Sequence, residues 1–325
     1  MLTQRKALVR MENNTRTEMR RIEDSFNEEL AQMWIQTIQQ IRFHIHDSYR
    51  QDFGKETWDF VGAKSKGTLA RISNANKQIL HSFGTQATAF IKLALKHIRE
   101  EERRRALWMI DQATPEHYVP VVPPVISREA DNPRDAKSPW DQTFWVWLDT
   151  YHKNLDTNLQ MEALHEGDIQ DAADEAAATK IDNFDPAYKL RSMFASEAIR
   201  GEADARREVY DSNDDIVEEE IWMTLEDGRV CEICSDYDGK PLSEIDEDIP
   251  AHYNCRCYTR FVPKAWAAML RSGNPEDREN ALRMDDAGLL PDSMAIRSPK
   301  TGELIGRAIV TFEDWKNKNI IGLAR

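Results

Sequence analysis

Residues 221–263 read IWMTLEDGRVCEICSDYDGKPLSEIDEDIPAHYNCRCYTRFVP, and this stretch decides how the chain folds at its C-terminal end. All four cysteines of the 325-residue chain, Cys231, Cys234, Cys255 and Cys257, lie within it. Cys231-Glu-Ile-Cys234 is a CxxC knuckle, and His252-Tyr-Asn-Cys255-Arg-Cys257 follows after seventeen intervening residues. A CxxC turn aims two thiolates at one point, and HxxC adds two more ligands from one tight turn. That is the donor set of a tetrahedral structural zinc site. His252 is the only histidine after His165, so its place beside the cysteines is informative.

Five candidates compete for four positions. Cys231 and Cys234 form the first pair. The second is either His252 with Cys255, the preferred pair, or Cys255 with Cys257, whose i, i+2 spacing places both on one face of a strand. A thiol-exchange CxxC is the competing chemistry, but it expects a βαβ context that the pattern lacks. Disulfides formed after release from the cell are the other alternative. The opening residues, MLTQRKALVRMENNTRTEMR, are basic without the apolar block of a secretory leader. A reducing compartment is therefore expected, where such clusters bind metal more often than they oxidise.

A full set of four ligands points to a structural zinc ion, since a catalytic one keeps an open position beside a general base. An HNH-type nuclease would need a second histidine near the knuckle, and His252 is the only one after His165. GxxxxGK[ST], GxSxG and HExxH are absent as well. No enzymatic activity is expected.

The order Trp222-x-Thr224, Asp227, Arg229-Val-Cys231-x-x-Cys234, Gly239 and Pro250-x-His252-x-x-Cys255-Arg-Cys257 resembles the signature of phage minor head proteins, the Mu F-like head morphogenesis family. Upstream, Arg191 and Phe194-Ala195-Ser196-Glu197 resemble the helix that precedes that signature. Tyr253 stands where the family often has proline, and Ser196 where it has threonine. The resemblance covers about residues 185–262. It implies a virion component made in the host cytoplasm and built into the head at the portal vertex or inner shell. Its partners would be the portal protein and the major capsid or scaffold proteins, and its role head assembly with DNA packaging or ejection.

Outward from this segment, the pattern is helical. Met19, Ile22, Phe26, Leu30, Trp34, Ile38, Ile41 and Ile45 recur at spacings of three and four, and Leu69, Ile72, Ile79, Phe83, Ala87, Phe90, Ala94 and Ile98 follow a second stripe at spacings of three, four and seven. Residues 1–112 thus read as long helices, broken near Asp52-Phe53-Gly54. They either pair as an antiparallel hairpin or form an extended helix covered by partner subunits. Residues 113–142 carry Pro115, Pro120, Pro123, Pro124, Pro133 and Pro139 and read as a linker or wrapping segment, across the protein's own core or along a neighbour.

Residues 143–220 return to helix, with Phe144, Trp147, Leu148, Tyr151, Leu155 and Leu159 on one face. The alanine-rich stretch 171–180 follows, and then a helix over 186–212 with Tyr188, Met193, Phe194, Ala198 and Ile199 inward. Residues 221–263 form the metal-binding module. Residues 264–325 form an extension with a helix and a β-hairpin, its strands over Met294–Ile296 and Leu304–Phe312 about a Ser298–Gly302 turn. The class is mainly α with a small α+β zinc-binding module.

Charge is uneven. Residues 1–112 carry a net +5 and residues 202–248 a net −14, equal to the whole chain. The acidic stretch repels nucleic acid, whose binding rests on Lys and Arg displacing phosphate counterions. It is either a solvated face or a surface for a basic partner. The basic N-terminal region leaves a second function open, a zinc-dependent nucleic-acid-binding protein acting on packaged DNA. No window is apolar enough for a membrane span.

Overall fold

The computed structural model describes residues 4–54, 62, 67–113, 120–123, 140–164, 168–180, 185–225, 230–263, 296–297, 304–305 and 311–323. The elements in chain order are α1 (Gln4–Phe53), α2 (Thr68–Ala113), α3 (Trp140–Leu164), α4 (Ile169–Ala177), α5 (Pro186–Asp211), β1 (Val217–Met223), α6 (Glu232–Tyr237), β2 (Tyr258–Pro263), β3 (Ile296–Arg297), β4 (Leu304–Ile305) and α7 (Phe312–Leu323). The chain is mainly helical, with β1 and β2 forming a small antiparallel sheet. Contacts divide it into two compact units, residues 24–94 with 127–197, and residues 1–23 with 95–126 and 198–325.

In the unit of residues 24–94 and 127–197, the two long apolar stripes cover each other. Phe26 meets Phe90, Trp34 meets Phe83, and the Asp52 carboxylate takes hydrogen bonds from Thr68 and Arg71. Rising numbers on α1 meet falling numbers on α2, so the helices pair as an antiparallel hairpin. The α3 stripe closes this core, with Trp34 at 5.2 Å from Trp147 and 4.9 Å from Tyr151 between ring centroids. Gly84 lets α3 approach, because a Cβ there would lie 2.5 Å from the Trp145 ring. The Tyr151 hydroxyl donates to the Ala177 carbonyl at 2.9 Å, and Asp168 caps α4 by accepting from Gln170 and Asp171.

Tyr188 departs from the expected inward face of α5. It is half exposed, while Leu190, Met193, Phe194, Ala198 and Ile199 are buried. Two residues apart on a helix lie roughly 200° apart, so once Leu190 faces inward Tyr188 points away.

In the unit of residues 1–23, 95–126 and 198–325, the core is half apolar and half ionic. Residues 106–110 of α2, Val209, Tyr210, Phe261, Phe312 and Trp315 form one cluster. Beside it Arg16 donates to Glu202 at 2.5 Å and to Glu102 at 2.8 Å, and Arg206 donates to Glu102 and to the Thr259 carbonyl. None of Arg16, Glu102, Glu202 and Arg206 is more than 3% exposed.

The described part of the proline-rich strip lies on its own chain. The Asn213 amide donates to the Val121 carbonyl at 2.9 Å and accepts from the Val121 N–H at 2.7 Å. Asn213 thus answers the extended strip as a neighbouring strand would. Ala113 ends α2 and residues 140–142 open α3, and the rest of this strip falls outside the described residues.

Near the C-terminus Ile296 pairs with Ile305 and Arg297 with Leu304, as the hairpin reading expects. The second strand does not run to Phe312. Thr311 accepts from the Asp314 N–H and donates to the Asp314 carboxylate, a cap that starts α7 at Phe312.

Candidate metal centre

The module begins on β1. Antiparallel pairing sets Trp222 opposite Thr259 and Met223 opposite Tyr258, which fixes the start of β2 one residue after Cys257. Beyond β1 the chain returns through α6 to the far side of Trp222, where the Trp222 N–H donates to the Lys240 carbonyl and the Gly239 N–H to the Trp222 carbonyl, both at 2.8 Å. Gly239, at φ +76°, makes that return turn in a backbone region that side chains with a Cβ resist. The Asp238 carboxylate locks it by accepting from the Thr224 N–H at 2.6 Å and the Thr224 hydroxyl at 3.0 Å.

Within this frame Cys231 caps α6, its sulfur accepting from the Cys234 N–H at 3.4 Å. The second loop turns at Asn254, φ +60°, a position asparagine tolerates better than most residues, and closes with the Cys255 N–H on the His252 carbonyl at 3.1 Å. His252 Nδ1 lies 2.8 Å from the Tyr253 carbonyl, which can only accept, so Nδ1 carries the proton and Nε2 is left with its lone pair. That nitrogen faces the Cys231 sulfur at 3.1 Å and the Cys234 sulfur at 3.2 Å, and Cys234 lies 3.9 Å from Cys255.

The 3.1, 3.2 and 3.9 Å separations lie a few tenths of an ångström either side of the edges of a tetrahedral ion. Zinc–sulfur bonds of about 2.3 Å and zinc–nitrogen bonds of about 2.0–2.1 Å place ligand atoms roughly 3.5–3.8 Å apart along the tetrahedron edges. Cys231, Cys234 and His252 form one close triad and Cys234, Cys255 and Cys257 another, so Cys234 belongs to both. All five expected residues form one compact group that could hold a metal ion. All four cysteines are free thiols.

The proton affinities follow from the contacts. The Cys234 N–H holds the Cys231 thiol below its ordinary value. Burial pushes Cys234 up to about 12. Hydrogen bonding from Cys257 brings Cys255 down to about 5 and pushes Cys257 itself upward. The bond to the Tyr253 carbonyl raises His252. Two of the thiols are thus shifted down and two up, and a bound cation would favour the thiolate form of each.

Around the sulfurs lie Trp222, Ile249 and two residues of α5, Ile199 and Ala203. Sequence reasoning attached no role in this site to Ile199 or Ala203. Their signal was a four-residue spacing on a helix that already carried an inward face. Asp227 and Arg229 of the signature fall outside the described residues. Phe194 is buried and the Ser196 hydroxyl donates to the Ser192 carbonyl within α5.

No protein-family model, no curated protein and no solved structure matches the chain. Among the described residues, no helix is long and apolar enough to cross a membrane.

Proposed function

We propose that this chain is a structural minor component of a tailed-phage head, docked at the portal vertex or inner shell, with a zinc-clamped module as its rigid docking element. The observation that carries this reading is the convergence of Cys231, Cys234, His252 and Cys255 in the spacing of the head-morphogenesis signature, mounted on a helical body. The module has little apolar material of its own, and structural zinc contributes on the order of 10 kcal/mol to the folding of such domains. When bound, the ion would cross-link the two loops. The chain's own residues do the rest: Asn254 shapes the second loop, Tyr253 orients the imidazole, and Trp222 with Ile199 and Ala203 seats the sulfurs.

The test joins elemental analysis of freshly reduced protein to a pull-down against the portal protein of the same phage. One equivalent of zinc together with portal capture supports the reading, and metal-free protein that still captures portal removes the clamp from it. Salt-dependent retention of DNA by the full chain, without portal capture, would move the assignment to nucleic-acid binding.

A further inference from the structure

We infer that the tips of the two ligand loops, Ile233 and Tyr253, form an anchor site for a basic, amphipathic segment of a partner protein. The inference rests on the assembly reading and names the surface it would use.

Most apolar side chains of the module turn inward. Trp222 and Ile249 are buried, and Val230, Tyr237, Leu242, Ile245 and Ala251 pack against the cluster that contains the cysteines. Ile233 and Tyr253 are the exceptions, 56% and 67% exposed. Each occupies an interior position of a ligand loop, CEIC and HYNC, and the loops meet where His252 Nε2 touches both Cys231 and Cys234. The two side chains therefore issue from backbone that the site itself holds in place. Exposed apolar groups on rigid loops are effective anchors, because little freedom is lost when a partner covers them.

The rim gives the partner its sign. Glu232, Asp236, Glu244, Asp246, Glu247 and Asp248 are all exposed. Between Cys231 and Cys257 there are seven acidic residues against Lys240 and Arg256. Such a field attracts Lys and Arg and repels phosphate, so nucleic acid and anionic lipid are poor occupants. An aliphatic or aromatic side chain flanked by Lys or Arg matches both the anchors and the rim.

The experiment uses the full zinc-loaded chain and a fluorescent helical peptide of leucine and lysine as probe, with a lysine/serine peptide of equal charge beside it. The leucine/lysine peptide should bind at least tenfold more tightly than the lysine/serine one, and binding should weaken with salt. Replacing Ile233→Ser and Tyr253→Ser together should weaken it at least tenfold when wild type and variant are compared at equal metal loading. Leu164→Ser, an equally exposed residue of α3, should leave it unchanged. If the double variant loses metal, Asp246→Asn with Glu247→Gln and Asp248→Asn decides through the same binding loss. Peptide binding that is absent, or equal in wild type and variant, overturns the inference. So does self-association that the double variant abolishes, which would make a second copy the occupant. Portal captured equally by wild type and double variant removes this surface and leaves the assembly reading. Peptide binding without any portal capture removes the assembly reading and leaves the surface.

Discussion

Arg206 and Glu102 are joined by a hydrogen bond in the interior, and a second nitrogen of the same guanidinium donates to the carbonyl of Thr259, two residues after Cys257. Arg206 and Arg16 also lie over the Tyr258 ring, at 5.4 and 5.2 Å from its centroid. The strand leaving the Cys/His group is therefore held by the ionic core.

Arg206→Met should destabilise the protein by about 3 kcal/mol, because Glu102 and the Thr259 carbonyl lose a buried partner while Arg16 stays. The paired change with Glu102→Met should recover part of that loss. Chemical denaturation measures both. A chelator competition on the same variants should show weaker metal retention in Arg206→Met, and equal retention would separate the ionic core from the metal group.

The ligand set is decided by two serine variants. Cys234 belongs to both close triads, so Cys234→Ser should abolish stoichiometric metal and expose residues 230–257 to protease. With His252 and Cys255 as the second pair, Cys257→Ser should retain one metal per chain and His252→Ala should lose it. The reverse result would assign Cys257 as the fourth ligand.

Burial pushes the Glu12 carboxyl up to about 7, with the Arg206, Arg260 and Arg16 charges opposing it only in part. The folded state thus binds a proton more tightly than the unfolded chain does. Stability from this group is complete below about pH 4.5 and is lost as pH rises through about 7, on the order of 3 kcal/mol in all. Burial shifts Glu23 in the same direction, with Glu202 adding to it. Burial alone would raise Glu202 as well, but Arg16, Glu23 and Arg20 together outweigh it and hold that carboxyl low. Unfolding free energy should fall between pH 5 and about 8, and Glu12→Gln should flatten the slope. A slope unchanged by the substitution would place the titrating group elsewhere.

Gly84→Ala should destabilise the protein despite alanine's better helix propensity. Its Cβ would sit 2.5 Å from Trp145 ring atoms and 2.7 Å from the Leu148 Cδ1, and such overpacking costs roughly 1–3 kcal/mol against a propensity gain of about 1 kcal/mol. Thermal melting reads the net effect, and a raised midpoint would show that α3 gives way without strain.

The apolar periodicity of α1, α2 and α3 was legible because each residue followed a helical spacing set by burial. The cysteine and histidine spacing was legible because local turns bring those atoms together. The ionic core was not. Glu12, Arg16 and Glu23 continue the phase of Met19, Phe26 and Leu30, as Glu202 and Arg206 continue that of Ile199, yet charge at those positions reads as solvent-facing. Only the meeting of several helices tells which carboxylate and guanidinium neutralise each other. The pairing of β1 with β2 was hidden too, since 34 residues separate Met223 from Tyr258 and no hairpin turn joins them. Tyr188 misled because the helix fits more than one phase until Leu190 is known to face inward.

Cys257 and Tyr258 are neighbours in sequence with opposite obligations, one to the sulfur group and the other to the stacked guanidinium groups. An insertion or deletion between them would rotate every later residue of β2 onto the wrong face. The exposed run Asp246–Asp248, between the inward-facing Ile245 and Ile249, has no such constraint. Among descendants of this gene, length variation within the module should therefore collect in that acidic run, and the joint at 257–258 should keep its count.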